Sequence, residues 1–310
     1  MPGTFVVSLD CEGKWGMADH MTADHLRWLT SGNLHDAYAR LLALFEEYRI
    51  AATFAFVMAF LLSPKEQHDR AEFFQDQQIA GTNWLANFRL AQAAGDLDGW
   101  SLPELLDMVR AHPEHEIGCH GFSHLPLDEA LVPRNVAQHE LAAAAATART
   151  LGVTLQTFVY PRNLVGYPEE LKRAGFSGYR DRLTTRTGPV GRATNLLAEF
   201  NPFTSPQRRA PRDGDGLIAI PSGHFLNWRV GPRRYVPPAL TVQRWTGMLN
   251  RAAADGGVVH LWLHPHNIIS GPGTFDVLAR VLRHVAQLRD KGLLSVETQQ
   301  RYCATFPPTA

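Results

Sequence analysis

The segment Ser8-Leu9-Asp10-Cys11-Glu12-Gly13 puts two carboxylates two residues apart at the end of an apolar run. If the extended geometry persists, alternation sets Asp10 and Glu12 on one face and Cys11 on the other. Two carboxylates side by side repel unless a cation or a shared proton relieves them. One could then bind a metal while the other stays free as a base; the alternative is an exposed strand end with two solvated carboxylates. His120-Gly121-Phe122-Ser123-His124 supplies two imidazoles four residues apart, which on a helical turn face the same way and can share one ion. Such a pair is a weak signal alone, since the chain has 14 histidines and about 0.6 such pairs arise by chance at that frequency. The setting raises it: a short run, Glu116-Ile117-Gly118-Cys119, ends on His120, and a glycine opens the turn.

A third group lies in Val258-Val259-His260-Leu261-Trp262-Leu263-His264-Pro265-His266-Asn267. In a strand, His260, Trp262 and His264 share a face, but His260 and His264 would stand roughly 13 Å apart, too far to share an ion easily. His264 at the strand end suits a general acid, and His260, deeper in, suits a hydrogen-bonded core histidine. Cys11 and Cys119 adjoin the proposed ligands, yet alternation turns both away from that face, so they read as buried small apolar residues. There is no nucleophile elbow, glycine-rich phosphate loop or dinucleotide fingerprint.

The elements that must position these residues are short apolar or β-branched runs alternating with helical periodicity. Strands are expected at 4–10, 51–57, 116–120, 157–161, 177–180, 217–221 and 258–264. Helices are expected at 36–48, 102–111, 135–151, 168–174, 242–254 and 275–291. Such alternation implies a parallel sheet with helices outside, and in an α/β barrel the C-terminal strand ends carry the active site. Asp10, Glu12, His120, the Tyr160–Arg162 segment, Asp181 and His264 all fall at such ends. The 310 residues, 45% hydrophobic and 19% charged, suffice for one α/β barrel or two smaller domains. Nothing in the chain forces a second domain, so residues 1–310 are expected to form one barrel, with insertions near 60–100 and 182–216 that shape the substrate site or merely elaborate the surface.

A formal net charge of zero suggests neither a nucleic-acid nor an anionic-membrane partner. No apolar run is long enough for a membrane span. The first residues show no basic segment, apolar stretch and cleavage site in series, which leads to the expectation of a cytoplasmic protein. Three cysteines spread along the chain do not make a disulfide framework and fit a reducing compartment.

SLDCEG, ATFAFV, EIGCHGFSH, FVYPRN and LHPHN, in this order over residues 4–267, resemble the polysaccharide deacetylases of the NodB-homology group, carbohydrate esterase family four. The resemblance implies a distorted (β/α) barrel, here of about seven parallel strands, with a metal bound by one acidic residue and two histidines. It assigns Asp10 as catalytic base, Glu12, His120 and His124 as metal ligands, and His264 as catalytic acid. The commoner family pattern has two adjacent aspartates; Cys11 occupies the second position here, and Glu12 is the ligand in the Asp-x-acid variant. The third motif usually places an arginine before its proline, whereas Arg162 follows Pro161. The fourth, an aspartate near a tryptophan, is matched in part by Tyr179-Arg180-Asp181, giving Asp181 as the orienter of His264. Trp15-Gly16 and HPHN resemble the signal-less deacetylases of surface-polysaccharide synthesis.

The expectation is an enzyme carrying one divalent ion, zinc first, with cobalt or nickel possible, that removes an N-acetyl group from a sugar, an intracellular precursor of a surface glycan. Asp10 activates water, a backbone N–H near Tyr160 helps to stabilise the oxyanion, Arg162 holds Asp10, and His264 protonates the amine. Tyr160, Trp15 and His266 are expected to contact the substrate, with Trp84 and Trp228 as further aromatic candidates. Two alternatives remain: a barrel hydrolase of a small cyclic amide or ureide, in which the metal can be absent, and a carbohydrate-binding protein on the same fold without catalysis.

Overall fold

The computed structural model of the chain describes residues 2–183, 194, 196–201, 203–208, 212–214, 216–226 and 229–307. Trp228 and much of the 182–216 segment lie outside them.

At the centre is β1, Gly3–Cys11, buried along its whole length. A strand covered on both faces reads as a continuous apolar run, which is what Phe5, Val6, Val7 and Leu9 provide. Around it run β2 (Thr53–Phe56), β5 (Glu116–Cys119), β6 (Thr157–Val159), β7 (Gly178–Arg180), β8 (Ile218–Ile220), β9 (His224–Phe225), β10 (Val258–Leu263) and β11 (Leu294–Glu297). These strands form one sheet in the order β8-β7-β6-β5-β2-β1-β10-β9, with β11 also paired to β1. Every pairing in it is parallel. The remaining strands, β3 (Gln78–Ile79) and β4 (Thr82–Asn83), make a separate antiparallel hairpin.

The seven expected strands are therefore present, joined by β9 and β11. Helices Ser31–Tyr48, Arg134–Thr150, Pro238–Asp255 and Thr274–Asp290 cover the sheet, presenting Leu41, Phe45, Leu141, Trp245, Val281 and Val285 to the core. The sheet is a curled, distorted (β/α) barrel in which β8 and β9 are not paired with each other. Since the strands run one way, their C-terminal ends meet on a single side. β1 and β2 pair in register as far as Cys11 and Phe56, and β2 and β5 as far as Phe56 and Cys119, so the residues just beyond, Glu12 and His120, emerge as neighbours.

The 60–100 insertion is an ordered cap. Phe74, Phe88 and Trp100 close around the indole of Trp15, with ring centroids at 5.7, 4.5 and 5.1 Å. No helix among the described residues is long and apolar enough to cross a membrane.

Candidate active site and metal centre

At the C-terminal side of the sheet a pocket of about 350 Å³ is lined by Asp10, Glu12, His120, His124, Trp262 and His264, with Gly16, Met17, His20, Arg162 and Asn163 toward its rim. Five of the residues expected to do chemistry, Asp10, Glu12, His120, His124 and His264, thus come together.

Glu12 is 3% exposed and follows the end of β1, where the backbone leaves extended geometry. A short 3₁₀ turn, Gly13–Met17, then folds over its carboxylate. Gly16 permits that close approach, because a Cβ there would stand 2.1 Å from Glu12 Oε1. His124 Nε2 lies 2.9 Å and His120 Nε2 3.3 Å from Glu12 Oε2. The stretch from His120 to His124 is an irregular turn rather than the helical one expected, with Gly121 at φ +83° and His124 at φ +63°.

Glu140, on the helix Arg134–Thr150, sets that turn. Its Oε1 accepts the backbone N–H groups of Phe122 and Ser123 at 2.9 and 2.6 Å, and the Ser123 hydroxyl donates to Oε2 at 2.9 Å.

The donor set fits a cation. His120 Nδ1 is 2.7 Å from the carbonyl oxygen of Val159, which can only accept, so Nδ1 carries the proton and Nε2 turns a lone pair toward Glu12. Burial lowers the His124 imidazole below its ordinary value despite the opposing charge of Glu12. Burial alone would raise Glu12, but the imidazoles of His264, His124 and His120 around it hold it well below the usual range. The His120 lone pair facing a carboxylate oxygen is repelled by it unless a positive centre sits between them. A carboxylate with two imidazoles is a donor set that a divalent metal ion can take.

A second group of possible ligands, His112, Glu114 and His115, lies before the N-terminal end of β5. There the Ala52 N–H donates to His115 Nδ1 at 3.1 Å. That bond uses the Nδ1 lone pair and puts the ring proton on Nε2, so neither nitrogen of His115 is free to ligate.

Asp10 is 2% exposed and is held by an arginine that was not expected. Arg180 Nη1 donates to Asp10 Oδ1 and Nη2 to Oδ2, each at 2.7 Å. The guanidinium also lies 4.5 Å over the Trp262 ring and donates to Ser8 Oγ at 3.3 Å and Asn163 Oδ1 at 2.8 Å. Burial would raise Asp10, yet the charge and hydrogen bonds of Arg180 bring it below the ordinary carboxylate value. Beneath this pair, His260 is the core histidine foreseen, bonded to Ser8 Oγ at 2.9 Å and the Pro221 carbonyl at 2.7 Å.

His264 presents Nε2 to the pocket, 3.5 Å from Glu12 Oε1 and 4.0 Å from Asp10 Oδ2. Its orienter is Asn267 rather than Asp181. Asn267 Oδ1 accepts the His264 backbone N–H at 3.0 Å and faces Nδ1 at 3.3 Å. The Asp181 carboxylate instead accepts its neighbour Arg182's N–H and makes no ion pair with His264.

Other expectations are corrected by packing. Arg162 lines the pocket but bonds to Asp19 at 2.7 Å and lies 5.0 Å over Trp84, so it does not hold Asp10. Trp15 is fully buried and donates its indole N–H to the Trp100 carbonyl. The Tyr160 side chain is buried against Phe158 and Tyr179. His266 packs behind His264, its ring 5.0 Å away, and burial pushes it down to about 3. Trp84 stacks on His124 at 6.2 Å and is 3% exposed. Cys11 and Cys119 are buried with raised thiol pKa values, Cys119 at about 12, as expected of core residues.

Sequence reasoning missed Arg180, Asn163, Asn267 and Glu140. For Arg180 a signal existed: the strand 177–180 ends on it, at the same level as the other strand-end groups.

The family described as polysaccharide deacetylase matches residues 21–176, half of the chain. No curated protein matches. Among solved structures, a Mycobacterium smegmatis protein provisionally described as a polysaccharide deacetylase is 16% identical, with a TM-score of 0.53 over 100% of this chain and 94% of its own. The Puue allantoinase is 12% identical, with a TM-score of 0.53 over 99% and 92%. A GH57-type branching enzyme from Pyrococcus horikoshii is 13% identical, with a TM-score of 0.52 over 100% and 72%. At these identities the likeness is one of fold.

Proposed function

The chain belongs to the polysaccharide deacetylase family, and from that premise we propose that it is a divalent-metal-dependent hydrolase removing the N-acetyl group of a sugar, an intracellular precursor of a surface glycan. The observation that carries this reading is the convergence of His120 Nε2 and His124 Nε2 on Glu12 Oε2, with the His120 tautomer set by Val159. A zinc, cobalt or nickel ion held there would supply Lewis acidity toward the acyl oxygen and make a nearby water more acidic.

The chain's own groups do the rest. Asp10, kept ionised by Arg180, accepts the proton of the water that attacks the acyl carbon. Arg180 fixes both carboxylate oxygens, so the base meets the water in one orientation. His264, donating Nδ1–H to Asn267 Oδ1, would in its doubly protonated form deliver the Nε2 proton to the departing amine and return to the neutral Nδ1–H tautomer. Trp262, 6% exposed, and Met17 form the apolar walls beside the sugar.

The test is acetate release from UDP-N-acetylglucosamine and from tetra-N-acetylchitotetraose, with allantoin as a cyclic-ureide control, before and after chelation and re-addition of zinc or cobalt. The expected result is acetate release lost on chelation and restored by metal. Removing His120 or His124 should lower the rate by about 10³-fold or more, since nucleophile and oxyanion both depend on the ion. A His120→Ala or His124→Ala protein retaining full metal content and full activity would sink the reading.

A further inference from the structure

Pro161, Arg162 and Asn163 form a single turn after β6, closed by the Asn163 N–H donating to the Tyr160 carbonyl at 2.9 Å. In it Arg162 and Asn163 both take left-handed backbone geometry, φ +60° and +55°. That conformation is uncommon for residues other than glycine, asparagine being the one that adopts it most readily.

The orientation of the Asn163 amide is forced. Arg180 Nη2 lies 2.8 Å from it, and a guanidinium can only donate, so the atom facing Arg180 is Oδ1. The amide nitrogen Nδ2 therefore points away from Arg180. Asn163 lines the pocket, is only partly buried, and Nδ2 has no hydrogen-bond partner among the described residues. Asn163 and Asp10 line the same pocket, and Arg180 Nη2 bridges Asp10 Oδ2 and Asn163 Oδ1, so the amide with its two unused N–H groups is held next to the base.

From this geometry we propose that Asn163 binds the substrate directly, donating from Nδ2 to an acceptor oxygen of the sugar, a ring hydroxyl next to the acylated position. The inference rests on the sugar-hydrolase reading above, in which the acyl oxygen is directed to the Glu12, His120 and His124 side. The oxygen left for a donor on the Asp10 side is then a hydroxyl. A donor buttressed by the same guanidinium that fixes the base couples the placement of the sugar to the placement of Asp10.

Two variants separate binding from support. Asn163→Asp keeps an oxygen for Arg180 but replaces the donor with an acceptor, and Asn163→Ala removes both. Each is compared with wild type by kcat/KM for acetate release from tetra-N-acetylchitotetraose, and by calorimetric binding of the same oligosaccharide to the metal-free proteins, which needs no turnover. Loss of a substrate hydrogen bond should weaken binding and lower kcat/KM by about 10- to 100-fold in both variants. Binding and rate restored to wild type in Asn163→Asp would reduce Asn163 to a support for Arg180 and overturn the proposal, as would unchanged binding in both. Weakened binding by the variants together with no acetate release from wild type would instead reject the hydrolase reading and leave the Asn163 contact standing.

Discussion

Arg180 joins Asp10 through two hydrogen bonds of 2.7 Å with both side chains almost fully buried. Burial is the largest influence on Asp10 and acts to protonate it; the guanidinium reverses the balance. Removing the cation should therefore let burial dominate, because an uncompensated buried carboxylate shifts its pKa upward rather than stay charged. Arg180→Gln is expected to move the acid limb of the kcat/KM profile to higher pH and to lower the rate at pH 7 by about 100-fold or more. Arg180→Lys keeps the charge but not the paired geometry, and should fall between wild type and Arg180→Gln. A pH–rate profile settles this, and an acid limb unmoved in Arg180→Gln would contradict it. Residues of this kind were legible unevenly. Asp10, Glu12, His120, His124 and His264 stood out because their types and strand-end positions announce chemistry. Arg180 was hidden because the likeness of Arg162, on another loop, to a family motif drew the role of holding Asp10. Trp15 and Tyr160 misled for the opposite reason: an aromatic beside a polar motif reads as a wall of the site, but only its packing, against residues 60–100 for Trp15 and against Phe158 and Tyr179 for Tyr160, tells which way it faces.

One element, the turn from His120 to His124, owes its shape to a group outside itself. Gly121 takes a positive φ freely, but His124 at φ +63° holds a conformation uncommon for a residue other than glycine. Glu140 gathers the N–H groups of Phe122 and Ser123 and the Ser123 hydroxyl onto one buried carboxylate, replacing the hydrogen bonds a regular element would have made. Glu140→Gln retains the size and one acceptor oxygen but loses the charge and sets an amide against backbone donors. It should loosen His124 and weaken metal binding by about 10- to 100-fold, the range for groups that orient ligands from behind, while leaving Glu12 and His120 in place. Competition titration with a chromogenic zinc chelator measures this; an unchanged zinc affinity would show that the turn holds without the carboxylate. Gly16→Ala belongs beside it. The new methyl would collide with the Glu12 carboxylate, so zinc affinity should fall by a similar factor through the other ligand. Periodicity foretold the strands and long helices, since 2.0 and 3.6 residue repeats are written in the apolar positions. It could not foretell this turn, whose geometry depends on a helix residue 16 to 20 positions later in the chain. β9, two residues long, was too short to leave a pattern.

Across the whole molecule, a parallel sheet gathers the ionised groups at the C-terminal strand ends while its interior is left to neutral ones. His260, on β10 beside β1, is pushed down to about 3 by burial and then by the charge of Arg180; His224, on β9, is lowered to about 4 by burial and the charge of Arg244. Both are neutral in the folded chain at pH values where an unfolded histidine, with an ordinary pKa of about 6.5, binds a proton. The unfolded state thus holds more protons below that point, and stability must fall as the pH falls from about 6.5 toward 4, by up to about 1.4 kcal/mol per pH unit for each such group. Glu116 and Glu140, raised by burial, act in the opposite sense. Their folded forms take up protons first, which favours the fold as the pH drops through their range, so the observed slope is a net. Substituting one histidine isolates its share. His260→Gln can still bond Ser8 Oγ but cannot titrate, so whatever its stability at pH 7, its loss between pH 6.5 and 4.5 should be shallower than that of wild type by up to one proton's worth. Urea unfolding at half-unit intervals of pH, on the metal-free protein so that ligand release does not contribute, gives both slopes. Parallel slopes would mean that His260 is protonated in the folded chain as easily as in the unfolded one, which its bonds to Ser8 and Pro221 oppose: a second ring proton would face the hydroxyl hydrogen of Ser8 and the charge of Arg180.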